Sequence, residues 1–147
     1  MSGKGSAGGG SGKASADVLL GRQIPYNSED LSNYAFQVRV GTGVSDLRNV
    51  AVALLKSGKK VYGVSKGKGF HSEDDILAKL ERDNIDPSEV VALYSDRQPC
   101  QVCAPKLTSA LNSKVDITWA VPWGSNPSAN RVSDDMLSEM ISQHRRR

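Results

Sequence analysis

The sequence lacks a long apolar run. None of its hydrophobic stretches approaches the roughly 18 residues that a membrane-spanning helix needs, and none resembles the apolar centre of a signal peptide. A transmembrane protein is therefore excluded, no membrane partner is expected, and any export signal is expected on a longer parent polypeptide. Hydrophobic residues still make up 38% of the 147 residues, enough to bury the core of one compact domain.

Net positive charge is also scarce outside the two ends of the chain. The formal net charge is +3, but Lys4, Lys13 and the three arginines at 145–147 contribute five positive charges, and residues 17–144 carry a net charge of −2. Net charge is therefore weak evidence for a nucleic-acid partner, which has to be inferred from individual sites.

Glycine and serine supply ten of the first sixteen residues. Such a segment cannot bury enough apolar surface to offset the entropy lost on ordering. Residues 1–16 are therefore predicted to be a flexible linker, either a native tether or a remnant of cloning, and residues 17–147 to be a single folded domain.

Hydrophobic periodicity divides the folded domain into alternating helices and strands. Two β-rich runs with a turn at 57–59 predict a hairpin, and residues 90–94 have the apolar composition of a buried parallel strand. The predicted strands span 49–55, 60–65, 90–94 and 115–121, and the predicted helices span about 29–40, 71–83 and 100–112, with a last helix capped at Ser133 after a loop at 124–132. A strand is the alternative for residues 34–40. The order predicts an α/β fold in which helices cover both faces of a mixed sheet.

The only two cysteines, Cys100 and Cys103, lie one turn apart at the start of a predicted helix. This spacing puts both sulfurs on one helix face, which fits a metal-binding pair, a redox pair or two unrelated buried thiols. His71 and Glu73 stand at the start of the preceding helix, where His71 alone would fit a helix cap or a core histidine. The other histidine, His144, is predicted to be solvated at the basic C-terminal end.

His71-x-Glu73 and Pro99-Cys100-x-x-Cys103 together match the zinc deaminase signature. One imidazole and two thiolates would leave the fourth tetrahedral position of Zn²⁺ open for water, as a catalytic site requires. Glu73 would then carry protons from the attacking water to the ring nitrogen and the departing ammonia. The alternative for Glu73 is a first-turn acid that complements the helix dipole.

With the runs at 49–53, 61–65, 94–100 and 119–124, these motifs resemble the cytidine-deaminase-like superfamily, and more narrowly the deaminase domains at the C-termini of bacterial polymorphic toxins. The resemblance runs from about residue 29 to the C-terminus. It implies a three-layer α/β/α sandwich with a mixed central sheet and a nucleobase substrate. It also implies a secreted toxin domain that is delivered into the cytoplasm of a target cell, with a cognate immunity protein in the producing cell. We expect the domain to act as a monomer.

Substrate contacts are predicted on the loops around these motifs. A base inside a duplex cannot reach a buried zinc ion, so a polymer must be single-stranded or have its base flipped out, and its binding requires phosphate contacts and stacking. Each of these contacts has a structural alternative: solvation for the lysines, an ion pair for Arg97, core packing for Trp123 and the capping of a strand for Asn49. For Asn49 we favour the structural role. The candidate substrate-binding residues are Asn49 for the sugar, Ser65 at the end of its strand motif, Lys66, Lys68 and Arg97 for phosphate, and Trp123 for stacking.

The sequence therefore predicts a zinc-dependent hydrolytic deaminase that converts cytosine to uracil in nucleic acid, with single-stranded DNA favoured, as a bacterial toxin domain. Deamination of free cytidine or a nucleotide, of RNA, or of adenine stays open. The alternative that is not an enzyme is a non-catalytic zinc-binding interaction module.

Overall fold

The computed structural model describes residues 21–66, 71–99, 110–111 and 114–146. The predicted linker at 1–16 and most of the predicted helix at 100–112 lie outside these ranges. No helix in the described ranges is long and apolar enough to cross a membrane. The elements of these ranges are β1 (Arg22–Gln23), α1 (Asp30–Thr42), β2 (Val50–Leu55), β3 (Lys60–Val64), α2 (Ser72–Arg82), a 3₁₀ turn (Pro87–Glu89), β4 (Val90–Arg97), β5 (Asp116–Val121) and α3 (Pro127–Arg145).

The five strands form one mixed sheet in the order β1-β5-β4-β2-β3. The β2–β3 hairpin is antiparallel, and β2 also pairs antiparallel with β4. On the other side of the sheet, β5 runs parallel to both β4 and β1. The predicted hairpin, the parallel pairing of β4 and the mixed sheet are confirmed.

Helices cover both faces of this sheet. On one face, Ile76 and Leu80 of α2 share a buried cluster with Ala51 and Ala53 of β2. On the other face, the cluster contains Val50 and Val52 of β2 with one buried residue of α1 and two of α3: Ala35, Leu137 and Ile141. Alternate residues of β2 thus face opposite layers, as the pleat of a strand requires, and the predicted three-layer α/β/α arrangement is confirmed.

The start of the C-terminal helix differs from the prediction. The cap predicted at Ser133 is wrong, because α3 begins at Pro127 and Ser133 is buried within it. The side chain of Asn126 accepts hydrogen bonds from two backbone N–H groups of the first turn, and proline at the first helical position is preorganised for a helix. Within this helix Leu137 and Ile141 are fully buried, whereas Met136 is 43% exposed.

His144 is not solvated as predicted. It is half-buried on α3, and its ring meets the rings of Tyr26 and Phe36 edge-on, at centroid distances of 5.3 and 5.9 Å. Its Nδ1 atom lies 3.1 Å from Nδ2 of Asn27. The last turns of α3 thus pack through His144 against the segment before α1. The basic composition of the C-terminal end did not reveal this packing.

Two side chains of α2 cover the free edge of the sheet at β3. Lys79 donates from Nζ to the carbonyl oxygen of Tyr62 at 2.7 Å, and Oδ2 of Asp75 accepts from the N–H of Val64 at 3.1 Å. Asp75 and Lys79 lie one turn apart, and we call them the edge pair. They engage backbone groups with which an incoming strand would otherwise pair.

The start of α2 lies unusually close to β3 at Gly63. A Cβ atom at this position would lie 2.1 Å from the carbonyl oxygen of Ser72 and 2.9 Å from Cγ1 of Ile76. Its partner across the hairpin, Ala51, is also small and fully buried. The absence of a side chain at Gly63 therefore sets how closely the first turn of α2 can approach the sheet.

We predict that Gly63→Ala lowers the free energy of unfolding by about 1–3 kcal/mol, because the new methyl group overpacks against a backbone oxygen. Chemical denaturation monitored by circular dichroism measures the change. Gly41→Ala is the matched control, since a Cβ atom there meets nothing within 4 Å and alanine favours the helix. Equal stability of the two variants would contradict a close approach at Gly63.

Candidate functional site

His71 and Glu73 lie at the start of α2, as the sequence predicts. His71 is the N-cap residue with an extended backbone, and its N–H donates to Oδ2 of Asp74 at 3.0 Å. Residues two apart within a helix point in different directions. Because His71 stands just outside the helix, this restriction does not apply to the pair, and both side chains can serve one site.

The carboxyl group of Glu73 is buried, although first-turn acids usually face solvent. The residue is only 6% exposed, and Oε1 accepts a hydrogen bond from Oγ of Ser72 at 2.9 Å. Burial raises the pKa of Glu73 above its ordinary value. A buried carboxyl group with a raised pKa is typical of a group that exchanges protons in catalysis.

Asn49, immediately before β2, joins the start of α2 to the end of β4. Its Nδ2 atom donates to Oγ of Ser72 at 2.6 Å and to Oγ of Ser95 at 2.8 Å. Its Oδ1 atom accepts from the N–H of Arg97 at 2.9 Å. We call these contacts the Asn49 bridge. They connect residues 23 to 48 positions apart and reach Glu73 through the hydroxyl group of Ser72.

Two further predicted site residues, Ser65 and Lys66, directly follow β3. Ser65 accepts at Oγ from the N–H of Asn49 at 2.8 Å and returns a backbone hydrogen bond to the Asn49 carbonyl at 3.0 Å. Lys66 is exposed, and its Nζ atom lies 3.8 Å from Oδ1 of Asp75. Lys68 lies outside the described residues. Phosphate binding by either lysine stays a prediction.

Arg97, whose backbone N–H belongs to the Asn49 bridge, contacts Trp123 with its side chain. Arg97 is 7% exposed, with Nε and Nη2 both 2.9 Å from Oδ1 of Asp134. Nη2 also donates to the carbonyl oxygen of Asp46, and the guanidinium carbon lies 5.4 Å from the centroid of the half-buried Trp123 ring. The ion pair weighed for Arg97 is thus present, whereas contacts of Arg97 and Trp123 with substrate stay predictions.

Cys100 and Cys103 lie outside the described residues. The chain reaches them from the end of β4, where the backbone N–H of Gln98 donates to the carbonyl oxygen of Val121 and Pro99 is buried. Among the described residues, no three His, Cys, Asp or Glu side chains form a metal cluster. The donor set of His71 with two thiolates fits Zn²⁺, which prefers nitrogen and sulfur ligands.

A buried ion pair, which the sequence did not reveal, holds the segment before Asn49 in place. Arg39 of α1 and Asp96 of β4 are fully buried and lie 2.7 Å apart. Arg39 also donates to the carbonyl oxygens of Ser45 and Arg48, while Asp96 accepts from the Tyr94 hydroxyl at 2.6 Å. The available signal was the pair of charged residues, Asp96 and Arg97, that directly follows the apolar part of β4.

We predict that Arg39→Met lowers the free energy of unfolding by about 3–5 kcal/mol, because it leaves the Asp96 carboxylate buried without its cation. Urea denaturation measures the loss. Arg82→Ala is the control, since Arg82 pairs with Asp83 at the surface and its loss should leave the transition unchanged. If Arg39→Met unfolds at the same urea concentration as this control, the buried pair does not stabilise the fold.

Comparisons with known proteins identify a family for most of the chain. A family model described as a Xanthomonas-like deaminase matches residues 46–139, from just before the Asn49 bridge into α3. The crystal structure of cytidine deaminase from Mycobacterium leprae is similar with 17% identity and a TM-score of 0.47, over 59% of this chain and 82% of that one. At these values no property of that enzyme is transferred to this chain. None of the curated proteins compared matches it.

Proposed function

Because the chain belongs to the Xanthomonas-like deaminase family, we propose that it is a zinc-dependent hydrolase that converts cytosine to uracil in nucleic acid. The family membership confirms the resemblance to deaminases in the sequence. The more specific resemblance to polymorphic-toxin domains stays a prediction.

The Asn49 bridge is the observation that carries this proposal. One side chain joins the helix start that bears His71 and Glu73 to the end of β4. From there the chain passes through Pro99 directly into the Cys100–Cys103 motif. The start of α2 and the end of β4, which directly precedes the cysteine motif in the sequence, are thus neighbours, and this supports a shared site for the two halves of the deaminase signature.

His71, Cys100 and Cys103 would hold Zn²⁺, which as a Lewis acid makes water nucleophilic near neutral pH. The chain's own chemistry is proton transfer by Glu73. Its carboxylate accepts a proton from the attacking water and delivers it to the pyrimidine ring nitrogen, then accepts the second proton of that water and delivers it to the leaving amine. Water and cytosine thereby become uracil and ammonia, and Glu73 returns to its starting state.

Single-stranded DNA is the substrate we favour. The reacting base has to leave any stack to reach a buried carboxyl group such as Glu73. The half-buried ring of Trp123 lies on the guanidinium of Arg97, and an aromatic ring beside a cation suits stacking with an unpaired base. The exposed ammonium group of Lys66 suits the phosphate backbone.

We predict that the zinc-loaded domain produces uracil in single-stranded oligonucleotides, and that Glu73→Gln lowers the rate by about 10²–10⁴-fold, since the variant has no proton acceptor. Mass spectrometry of oligonucleotides, duplex DNA, RNA, cytidine and adenine-containing substrates measures the products. Glu81→Gln, an exposed position on the same helix, is the control and should retain the rate.

Removal of the metal is expected to abolish the activity, and added Zn²⁺ to restore it. Turnover of monomers alone would overturn the polymer assignment, and normal activity of Glu73→Gln would overturn the role of Glu73. Bound zinc without activity on any nucleobase would favour a non-catalytic zinc module.

We also propose that the domain acts as a monomeric toxin in the cytoplasm of a target cell and is neutralised by a cognate immunity protein. This rests on the resemblance of its motifs to toxin deaminase domains. Expression in bacteria that lack the immunity protein is expected to slow growth or to raise the rate of C-to-T mutation, and Glu73→Gln should do neither. Wild-type growth and mutation rates in both strains, measured by plating and genome sequencing, would contradict the assignment to DNA.

A further inference from the structure

The hydrogen bonds of the Asn49 bridge have only one consistent direction. The backbone N–H of Arg97 can only donate, so the side-chain atom that faces it must be the carbonyl oxygen of Asn49. The amide nitrogen, with both of its protons, then faces Ser72 and Ser95. The orientation of this side chain is therefore assigned by its partners.

Each of the two serine hydroxyl groups uses its single proton elsewhere. Ser95 donates to the carbonyl oxygen of Arg97 at 2.6 Å, and Ser72 donates to Oε1 of Glu73 at 2.9 Å. Both hydroxyl oxygens consequently accept from Asn49. The result is a directed chain in which the Asn49 amide donates to Ser72 and Ser72 donates to Glu73.

We infer that Asn49 is a positioning residue for Glu73, acting through the Ser72 hydroxyl. The inference rests on the proposed function, in which Glu73 carries the protons. Both amide protons of Asn49 are already engaged within the protein, so a donated hydrogen bond to a substrate sugar would break this chain. Asn49 therefore serves the reaction by orienting the carboxylate, and a contact of Asn49 with the substrate sugar stays a prediction.

Asn49→Asp tests the direction of the chain with almost no change in shape. A carboxylate has no proton to donate, so the introduced carboxylate would accept the proton of Ser72 and turn this hydroxyl away from Glu73. Ser72→Ala removes the same contact from the other side. Ser95→Ala is the matched control, because it removes the second acceptor of Asn49 and leaves the path to Glu73 in place.

The first measurement is structural and does not depend on activity. In crystal structures of the zinc-loaded variants, we expect the contact between Ser72 Oγ and Glu73 Oε1 to be lost in Asn49→Asp and kept in Ser95→Ala. An intact contact in Asn49→Asp would overturn the inference.

The second measurement is kinetic. Asn49→Asp and Ser72→Ala are each expected to lower kcat roughly 10- to 100-fold, the scale of a misplaced catalytic group, with little change in KM. Because they act on one path, the double variant should lose little more than either single variant. Ser95→Ala should reduce kcat less than Ser72→Ala at a comparable loss of thermal stability.

The outcomes separate this inference from the proposed function. A higher KM with unchanged kcat in Asn49→Asp would assign Asn49 to substrate binding, and additive losses in the double variant would exclude action through Ser72. Either result overturns the inference while the deaminase activity stands. Wild-type protein without activity on any nucleobase would overturn the proposed function, and the crystal structures would still decide whether Asn49 orients Glu73.

Discussion

The position of the α2 start relative to the sheet is the constraint on which the rest of the site depends. An attractive contact and the absence of a steric obstacle together define this position. Hydrogen bonds of Asn49 attract Ser72 towards the ends of β2 and β4, and the lack of a side chain at Gly63 permits the approach. A net hydrogen bond is worth only about 0.5–1.5 kcal/mol, but an unpaired buried partner costs more. The hydrogen bonds therefore stabilise this position of α2 modestly and disfavour other positions, which would leave a buried partner unpaired, more strongly.

The polar residues buried at the end of β4 are each paired with another side chain, although Nη1 of Arg97 has no hydrogen-bond partner among the described residues. Ser95, Asp96 and Arg97 are consecutive and buried, a costly sequence for the end of a strand. Each has a partner from a different part of the chain, respectively the side chains of Asn49, Arg39 and Asp134. The strand leading to the cysteine motif is thereby held by three elements, and a shift by one residue would leave charges without partners.

The sequence predicted those parts of the fold in which local pattern and tertiary packing agree. The hairpin and α2 have clear periodicity, and His71 and Glu73 lie at a helix start as the sequence predicted. The two-residue strand β1 has no pattern of its own, because its pairing with β5 is a tertiary contact.

Other features were hidden for related reasons. The first turn of α3 is polar and exposed, so its apolar stripe starts after the helix does. Arg39 and Asp96 are 57 positions apart, and a charge on a predicted helix is normally read as a surface residue. The Asn49 bridge could not be predicted, since its residues, Asn49 included, come from three separate segments.

The edge pair on α2 links the tendency of the domain to self-associate to the geometry of the candidate site. Asp75 and Lys79 occupy backbone groups of β3 with which a strand of another molecule could pair, and they belong to the helix whose first turn bears Glu73. Any change that lifts this helix away from Gly63 also withdraws both side chains from the strand. Substitutions in α2 that are made to change the turnover rate are therefore expected to alter solubility as well. Self-association of such a variant would indicate that the helix has moved.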